Sequence, residues 1–216
     1  MGRLETTLCG IKLDNPVIPA SGTFGFGDEF AALYDINILG TFSFKGTTLS
    51  PRLGNETPRI AECPAGMLNS VGLQNPGVEV FAKRDLPYLS QFDTKVIVNV
   101  CGHSLEEYVD CVKKLSGERR VDFLEINISC PNVREGGLAF GTDPRMVEKV
   151  TRAVKEAASV PVIMKLSPNV TDLTEIARAA ESGGADVLSM INTLSGMKID
   201  IRKKTFALDN RTGGLS

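Results

Sequence analysis

Short apolar runs alternate along this chain with longer stretches whose apolar residues recur at helical spacing. The runs fall at 17–20, 38–45, 96–100, 123–129, 162–167 and 187–192, and β-branched residues dominate several of them. Runs of that length and make-up read as strands buried on both faces. The stretches between them carry helix start signals. Asp28 precedes one helix, and Asn75-Pro76 gives an N-cap and a first-turn proline for a helix over 78–89. Ser104 and Glu107 form a capping box for a helix to about 115. Asp143-Pro144 opens a helix over 145–158, and Thr171-Asp172 opens one over 173–181 that stops at Gly183-Gly184. Ahead of all these, residues 4–14 read as a small hairpin turning at Gly10.

Strand then helix, repeated, means parallel strands joined by crossovers. Two α/β architectures fit, and both gather ligands at the carboxyl ends of the strands. A doubly wound sheet would show a glycine-rich phosphate turn after an early strand. Gly22, Gly25 and Gly27 lack the order such a turn needs. The expected fold is therefore a (β/α)8 TIM barrel. Six strands can be counted where a barrel needs eight and usually about 250 residues. The sequence is thus expected to form one barrel domain over 1–216 that is incomplete at the C-terminus. Roughly the last two β/α units are expected to be lacking, and 211–216 is expected to form a loop with no element after it. The segment 47–75, rich in Pro, Gly and Asn, is too long for an ordinary connection and is expected to cover substrate.

The run at 123–132 concentrates the chemistry. Glu125, Asn127 and Ser129 point one way, Leu124, Ile126 and Ile128 the other, and the strand breaks at Cys130-Pro131 into a glycine-rich loop. Each of the other runs also ends on a polar residue, giving Ser21, Lys45, Asn99, Asn127, Lys165 and Asn192 as a ring around one mouth. Amides beside one another suit a heterocycle with adjacent C=O and N–H groups. Lysines suit a carboxylate, a phosphate or a reduced flavin. A thiol on a glycine-flanked loop suits a general base. Glu125, one layer below the mouth, is expected to pair with an inward lysine such as Lys165.

Composition narrows the class. The 216 residues carry a net charge of −2, with 42% hydrophobic and 23% charged residues. That balance gives no general attraction to nucleic acid or an anionic membrane. No apolar run approaches the roughly 20 residues of a membrane span. Cys9, Cys63, Cys101, Cys111 and Cys130 are widely spaced, so reduced cytoplasmic thiols are expected and a metal or iron–sulfur site within the chain is not. The sole histidine, His103, reads as a loop residue. The lack of a carboxylate pair disfavours glycoside hydrolysis. A lyase using Lys165 as a Schiff-base lysine is a different-class alternative.

Two motifs together, Asn127-Ile-Ser-Cys-Pro-Asn132 and Asn69-Ser-Val-Gly-Leu-Gln-Asn-Pro-Gly77, closely resemble class 1 dihydroorotate dehydrogenases. Ala20 to Gly25, Lys45 to Thr48 and Val162 to Pro168 fit the same family, and the form of the 72–77 segment resembles the catalytic subunit of class 1B. The resemblance runs the length of the chain. It implies an FMN-containing barrel oxidising dihydroorotate to orotate in pyrimidine synthesis, with Cys130 taking the C5 proton and hydride passing from C6 to the flavin. It further implies that Ser21, Lys45, Gly46, Asn99, Asn127, Lys165 and Ile191 hold the flavin. Substrate falls to Lys45, Asn69, Ser70, Val71, Gly72, Leu73, Asn127, Asn132, Asn192 and Thr193. Similar class 1B proteins form a homodimer of catalytic subunits within a heterotetramer. A partner subunit carrying FAD and a [2Fe–2S] cluster passes their electrons to NAD. Sister readings are a flavin barrel like that of dihydropyrimidine dehydrogenase and a truncated, non-catalytic chain that binds a partner.

Overall fold

The computed structural model describes residues 4–129, 134–135 and 138–215. Its centre is a five-stranded parallel sheet in the spatial order Val187–Ser189, Val162–Lys165, Phe123–Asn127, Lys95–Val100, Thr41–Ser43. Each strand lies beside its predecessor in the sequence, the arrangement that successive right-handed crossovers build. The predicted strands are present but shorter, because each run continues past its ladder into the loop at its carboxyl end. Residues 17–20 are the exception. They run extended beside Thr41–Ser43, where the N–H groups of Gly40 and Ser43 donate to the carbonyls of Val17 and Pro19. Pro16 and Pro19 have no N–H to return, so no ladder forms there.

Outer-face residues of the sheet meet the helices. Leu124, Ile126, Val98, Val100, Val162 and Met164 form one core with Tyr108, Val112 and Leu115 of Leu105–Ser116 and with Val147, Val150 and Val154 of Pro144–Ala157. Leu173–Ser182 adds Ile176, Ala179 and Ala180. At the other end of the sheet the core becomes aromatic. Phe24, Phe42, Phe44 and Phe81 meet in sequence, the first pair tilted and the others edge-on, with ring centroids 4.8, 4.8 and 5.7 Å apart. The inner face is different. Ile97, Phe123 and Ile163 form a separate small cluster closed from below by Leu8 and Ile11. Those two residues belong to the N-terminal hairpin, Thr6–Leu8 paired with Ile11–Leu13. Its two-residue turn has positive φ at Cys9 (49°) and Gly10 (79°), as a tight hairpin with matching twist needs.

The caps expected at Ser104, Asp143 and Asp172 form, accepting from the N–H groups of Glu107, Arg145 and Thr174. Leu173–Ser182 ends at Gly183, and Gly184 takes a φ of 96°. Other expectations need correction. Asp28 is the first residue of Asp28–Ala31, not its cap. Asn75 does not cap the next helix, because the chain needs Gly77, at φ 82°, to turn into it. That helix runs from Val78 to Leu89 with a π-helical centre, Phe81–Asp85. Pro87 lies just beyond, and its missing N–H and its ring displace the regular bonding.

The segments read as plain loops are partly sheet. Ile60–Cys63 and Gly66–Asn69 pair within the 47–75 insertion, and Gly66–Asn69 also pairs with Thr212–Leu215, which pairs in turn with Leu194–Met197. The 211–216 segment thus contains a strand. Gly213 and Gly214 are needed there, since a Cβ on either would fall within 2.5 Å of Asn69 O or Thr193 Oγ1. Among the described helices none is long and apolar enough to cross a membrane.

Candidate functional site

The inner face of the sheet is layered. Its floor is the apolar cluster of Ile97, Phe123 and Ile163. One step up each strand, the side chains turn polar and remain buried: Ser43, Asn99, Glu125 and Lys165. Pairing register explains the grouping, because Asn99 lies directly opposite Glu125, and Lys165 lies two residues beyond Glu125's partner Ile163. Glu125 Oε2 accepts from Ser43 Oγ at 2.8 Å and from Asn99 Nδ2 at 2.6 Å, and the Lys165 ammonium is 3.9 Å away. The expected Glu125–Lys165 pair is therefore present, though the two neutral donors are closer.

Above this layer the mouth opens. Asn127 Oδ1 accepts from Asn192 Nδ2 at 3.0 Å and from the Ser129 N–H. Asn192 is fixed in turn by its N–H on Leu166 O and by Thr193 N–H on its Oδ1. Two of the predicted ring residues thus touch. Gly46 sits against a third, Asn99, and against Cys101: a Cβ there would fall 2.9 Å from Asn99 Oδ1 and 2.6 Å from Cys101 Sγ. Lys45 donates its N–H to Gly25 O, and burial pulls its ammonium below the ordinary lysine value, with Arg59 adding to the effect and Cys101 opposing it. Ser21 is buried at the end of the extended segment beside Thr41–Ser43.

The segment 69–73, expected to hold substrate, folds over this side, with Leu73 close to Gly46. Asn69 donates to Gly214 O, Ser70 N–H donates to Arg59 O, and Asn55 holds the carbonyls of Ser70 and Val71 through its side-chain and backbone N–H groups. Gly72 and Leu73 both have positive φ, 77° and 57°. Ile191 and Thr193 flank Asn192 on the loop after the last strand, with Ile191 half exposed. Cys130 and Asn132 lie outside the described residues.

Three buried polar atoms have no hydrogen-bond partner among the described residues: Ser70 Oγ, Ser129 Oγ and His103 Nε2. All three belong to loops at the carboxyl ends of the strands, and buried groups left without partners call for one. His103 lies in the bend before Ser104, as expected, and burial holds its ring below the usual pKa, favouring the neutral form. A polar, mostly neutral heterocycle with one anionic edge matches this set of amides, hydroxyls and two lysines. A flavin fits it, and so does a small carboxylated pyrimidine.

Ser43 is a member of the buried polar layer beyond the ring expected from the sequence. Its signal is the alternation Thr41-Phe42-Ser43-Phe44-Lys45, which sets three polar side chains on one face and two buried phenylalanines on the other.

Against known proteins, the sequence matches the family profile described as dihydroorotate dehydrogenase over residues 3–216. The chain belongs to the dihydroorotate dehydrogenase family. It is 59% identical over 212 residues to the protein named dihydroorotate dehydrogenase B (NAD(+)), catalytic subunit, of Lachnoclostridium phytofermentans, covering 98% of this chain and 70% of the relative. Proteins of the same name from Bacillus pumilus and Bacillus cytotoxicus are each 56% identical, covering 99% and 100% of this chain and 69% and 70% of the relatives.

Proposed function

We propose that this chain is the catalytic, FMN-binding subunit of an NAD-linked dihydroorotate dehydrogenase, oxidising dihydroorotate to orotate in pyrimidine biosynthesis. The observation that carries the reading is the buried polar layer of Ser43, Asn99, Glu125 and Lys165 beneath the Asn127–Asn192 amide pair. That layer supplies donors and acceptors for planar heterocycles and one positive charge near their anionic edge. FMN, when bound, supplies the hydride acceptor.

In this reading Ser21, Lys45, Gly46, Asn99, Asn127, Lys165 and Ile191 hold the flavin. Lys45, the 69–73 segment, Asn127, Asn132, Asn192 and Thr193 hold the substrate. The paired amides of Asn127 and Asn192 fix each other's orientation, so each presents a set donor or acceptor to the ring. Cys130, one residue beyond Ser129, acts as general base on the substrate face away from the flavin.

The parallel sheet is read as an arc of a single (β/α)8 barrel domain that about two further β/α units would close. The relatives' longer sequences support this. Electrons pass to NAD through a partner subunit bearing FAD and a [2Fe–2S] cluster, with catalytic subunits paired in a heterotetramer. The proposed location is the cytoplasm.

The test is anaerobic mixing of the full-length flavin-loaded protein with dihydroorotate. Bleaching of the flavin absorbance is expected, and Cys130→Ser should slow it by about 10²-fold or more at neutral pH. A protein that binds no flavin, or one whose flavin dihydroorotate leaves oxidised, overturns the reading. An unchanged rate in Cys130→Ser rejects the role of that thiol.

A further inference from the structure

Glu125 lies beneath the groups that the proposed function uses, and no step of the chemistry calls for it. It is 5% exposed, in the middle of the central strand of the sheet. A carboxylate at such a position is costly unless its charge and lone pairs are met. Here they are met by three different strands. Ser43 Oγ comes from Thr41–Ser43, Asn99 Nδ2 from Lys95–Val100 and Lys165 Nζ from Val162–Lys165, all directed at Oε2. Glutamine or an apolar residue would fill the space without the desolvation cost. The charge therefore needs a reason.

We infer that Glu125 is a positioning residue for the flavin site, fixing the Asn99 amide and holding the Lys165 ammonium in place with a counter-charge. The inference rests on the flavin reading above. Its first part follows from the amide itself. Because Nδ2 of Asn99 donates to Glu125, Oδ1 must face the other way, and there it accepts from Cys101 Sγ at 3.3 Å and lies against Gly46. An acceptor-only group below Asn99 thus decides which end of the amide faces the mouth. The second part follows from distance. At 3.9 Å the Lys165 ammonium is attracted without being tied up in a short hydrogen bond, so its protons stay available toward the mouth. A fixed negative charge behind Lys165 also offsets part of the positive field that a reduced, anionic ring would feel.

Two readouts test this. In the ligand-free protein, the Asn99 side-chain N–H that donates to the carboxylate should resonate well downfield of ordinary amide protons. Glu125→Gln should move it upfield. In the flavin-loaded full-length protein, Glu125→Gln removes the counter-charge and should raise the two-electron midpoint potential. A tenfold more favourable reduction is expected, about 30 mV upward. Glu125→Asp keeps the charge and shortens the reach, so its potential should stay nearer wild type while the Asn99 signal still shifts.

An unmoved Asn99 resonance in Glu125→Gln overturns the positioning of the amide. An unchanged potential in Glu125→Gln overturns the counter-charge. If the wild-type protein binds no flavin, the function reading fails by itself, and the Asn99 resonance still decides what Glu125 does.

Discussion

Lys45 carries the clearest charge argument at the scale of single residues. Its ammonium is pulled below the ordinary lysine value chiefly by burial. The folded chain therefore holds that proton less well than the unfolded chain does. Stability of the ligand-free protein should rise as pH climbs from the folded value toward the unfolded one, where the unfolded state binds more protons. Affinity for orotate should move the opposite way, falling as pH rises through that lowered value, because only the charged form attracts a carboxylate. Lys45→Met separates the two effects. The ligand-free protein should gain on the order of 1 kcal/mol in urea unfolding, as a half-buried charge is removed. Orotate binding followed by titration should weaken roughly thirtyfold or more, about 2 kcal/mol. Lys45 was legible because it closes an apolar run, and a charge there has nowhere to go but the mouth. Ser43 was not, because its run looked buried on both faces until the phenylalanines were placed outward.

Local signals and distant ones separate at the scale of elements. The caps at Ser104, Asp143 and Asp172 could be read directly, since each is made within a few residues of itself. Asp143→Ala should cost about 1 kcal/mol in urea unfolding by leaving the first turn of Pro144–Ala157 without its acceptor. Asn75 could not be read in the same way, because it works across the insertion. Its Oδ1 accepts from the N–H groups of Thr48 and Gly77, and its Nδ2 donates to Leu73 O and Thr48 Oγ1. It is a clasp for the long loop, with its two ends brought to one side chain. Asn75→Ala should destabilise by roughly 1–3 kcal/mol, since two buried N–H groups lose their acceptor. It should also raise KM for dihydroorotate more than it lowers kcat, because Leu73 belongs to the segment proposed to wrap substrate. Equal falls in kcat and kcat/KM would place the effect on chemistry instead. The pairing of Gly66–Asn69 with Thr212–Leu215 was illegible for a related reason. Two glycines give that strand its close approach, and glycines in sequence read as loop.

The whole molecule is organised as a floor, a polar layer and a mouth on one face of the sheet, with helices on the other. Parallel order was legible from the repeat of strand and helix, and the inward face of residues 123–129 from simple alternation. The floor was not, because it is closed by residues distant in the chain. Leu8 and Ile11 of the N-terminal hairpin pack on Ile97, Phe123 and Ile163. Parallel strands present apolar side chains on both faces, and helices cover only one here, so something must seal the other. The hairpin does so at the end opposite the mouth. By covering the floor it should also keep water from reaching the Glu125 layer from below, where an open path would weaken its charge-assisted bonds. Phe123→Ala should therefore cost about 3–5 kcal/mol, the range for emptying a fully buried aromatic site. Removing residues 1–14 should give a related but distinguishable result. Phe123 then keeps Ile97 and Ile163 beside it and loses only its cover, so the urea midpoint should fall while a hydrophobic dye gains fluorescence on the folded protein. The Asn99 amide resonance should broaden as water enters beneath it. A truncated chain with the wild-type midpoint and no dye binding would mean that the floor is sealed without the hairpin, and the layer above would need another explanation for its dryness.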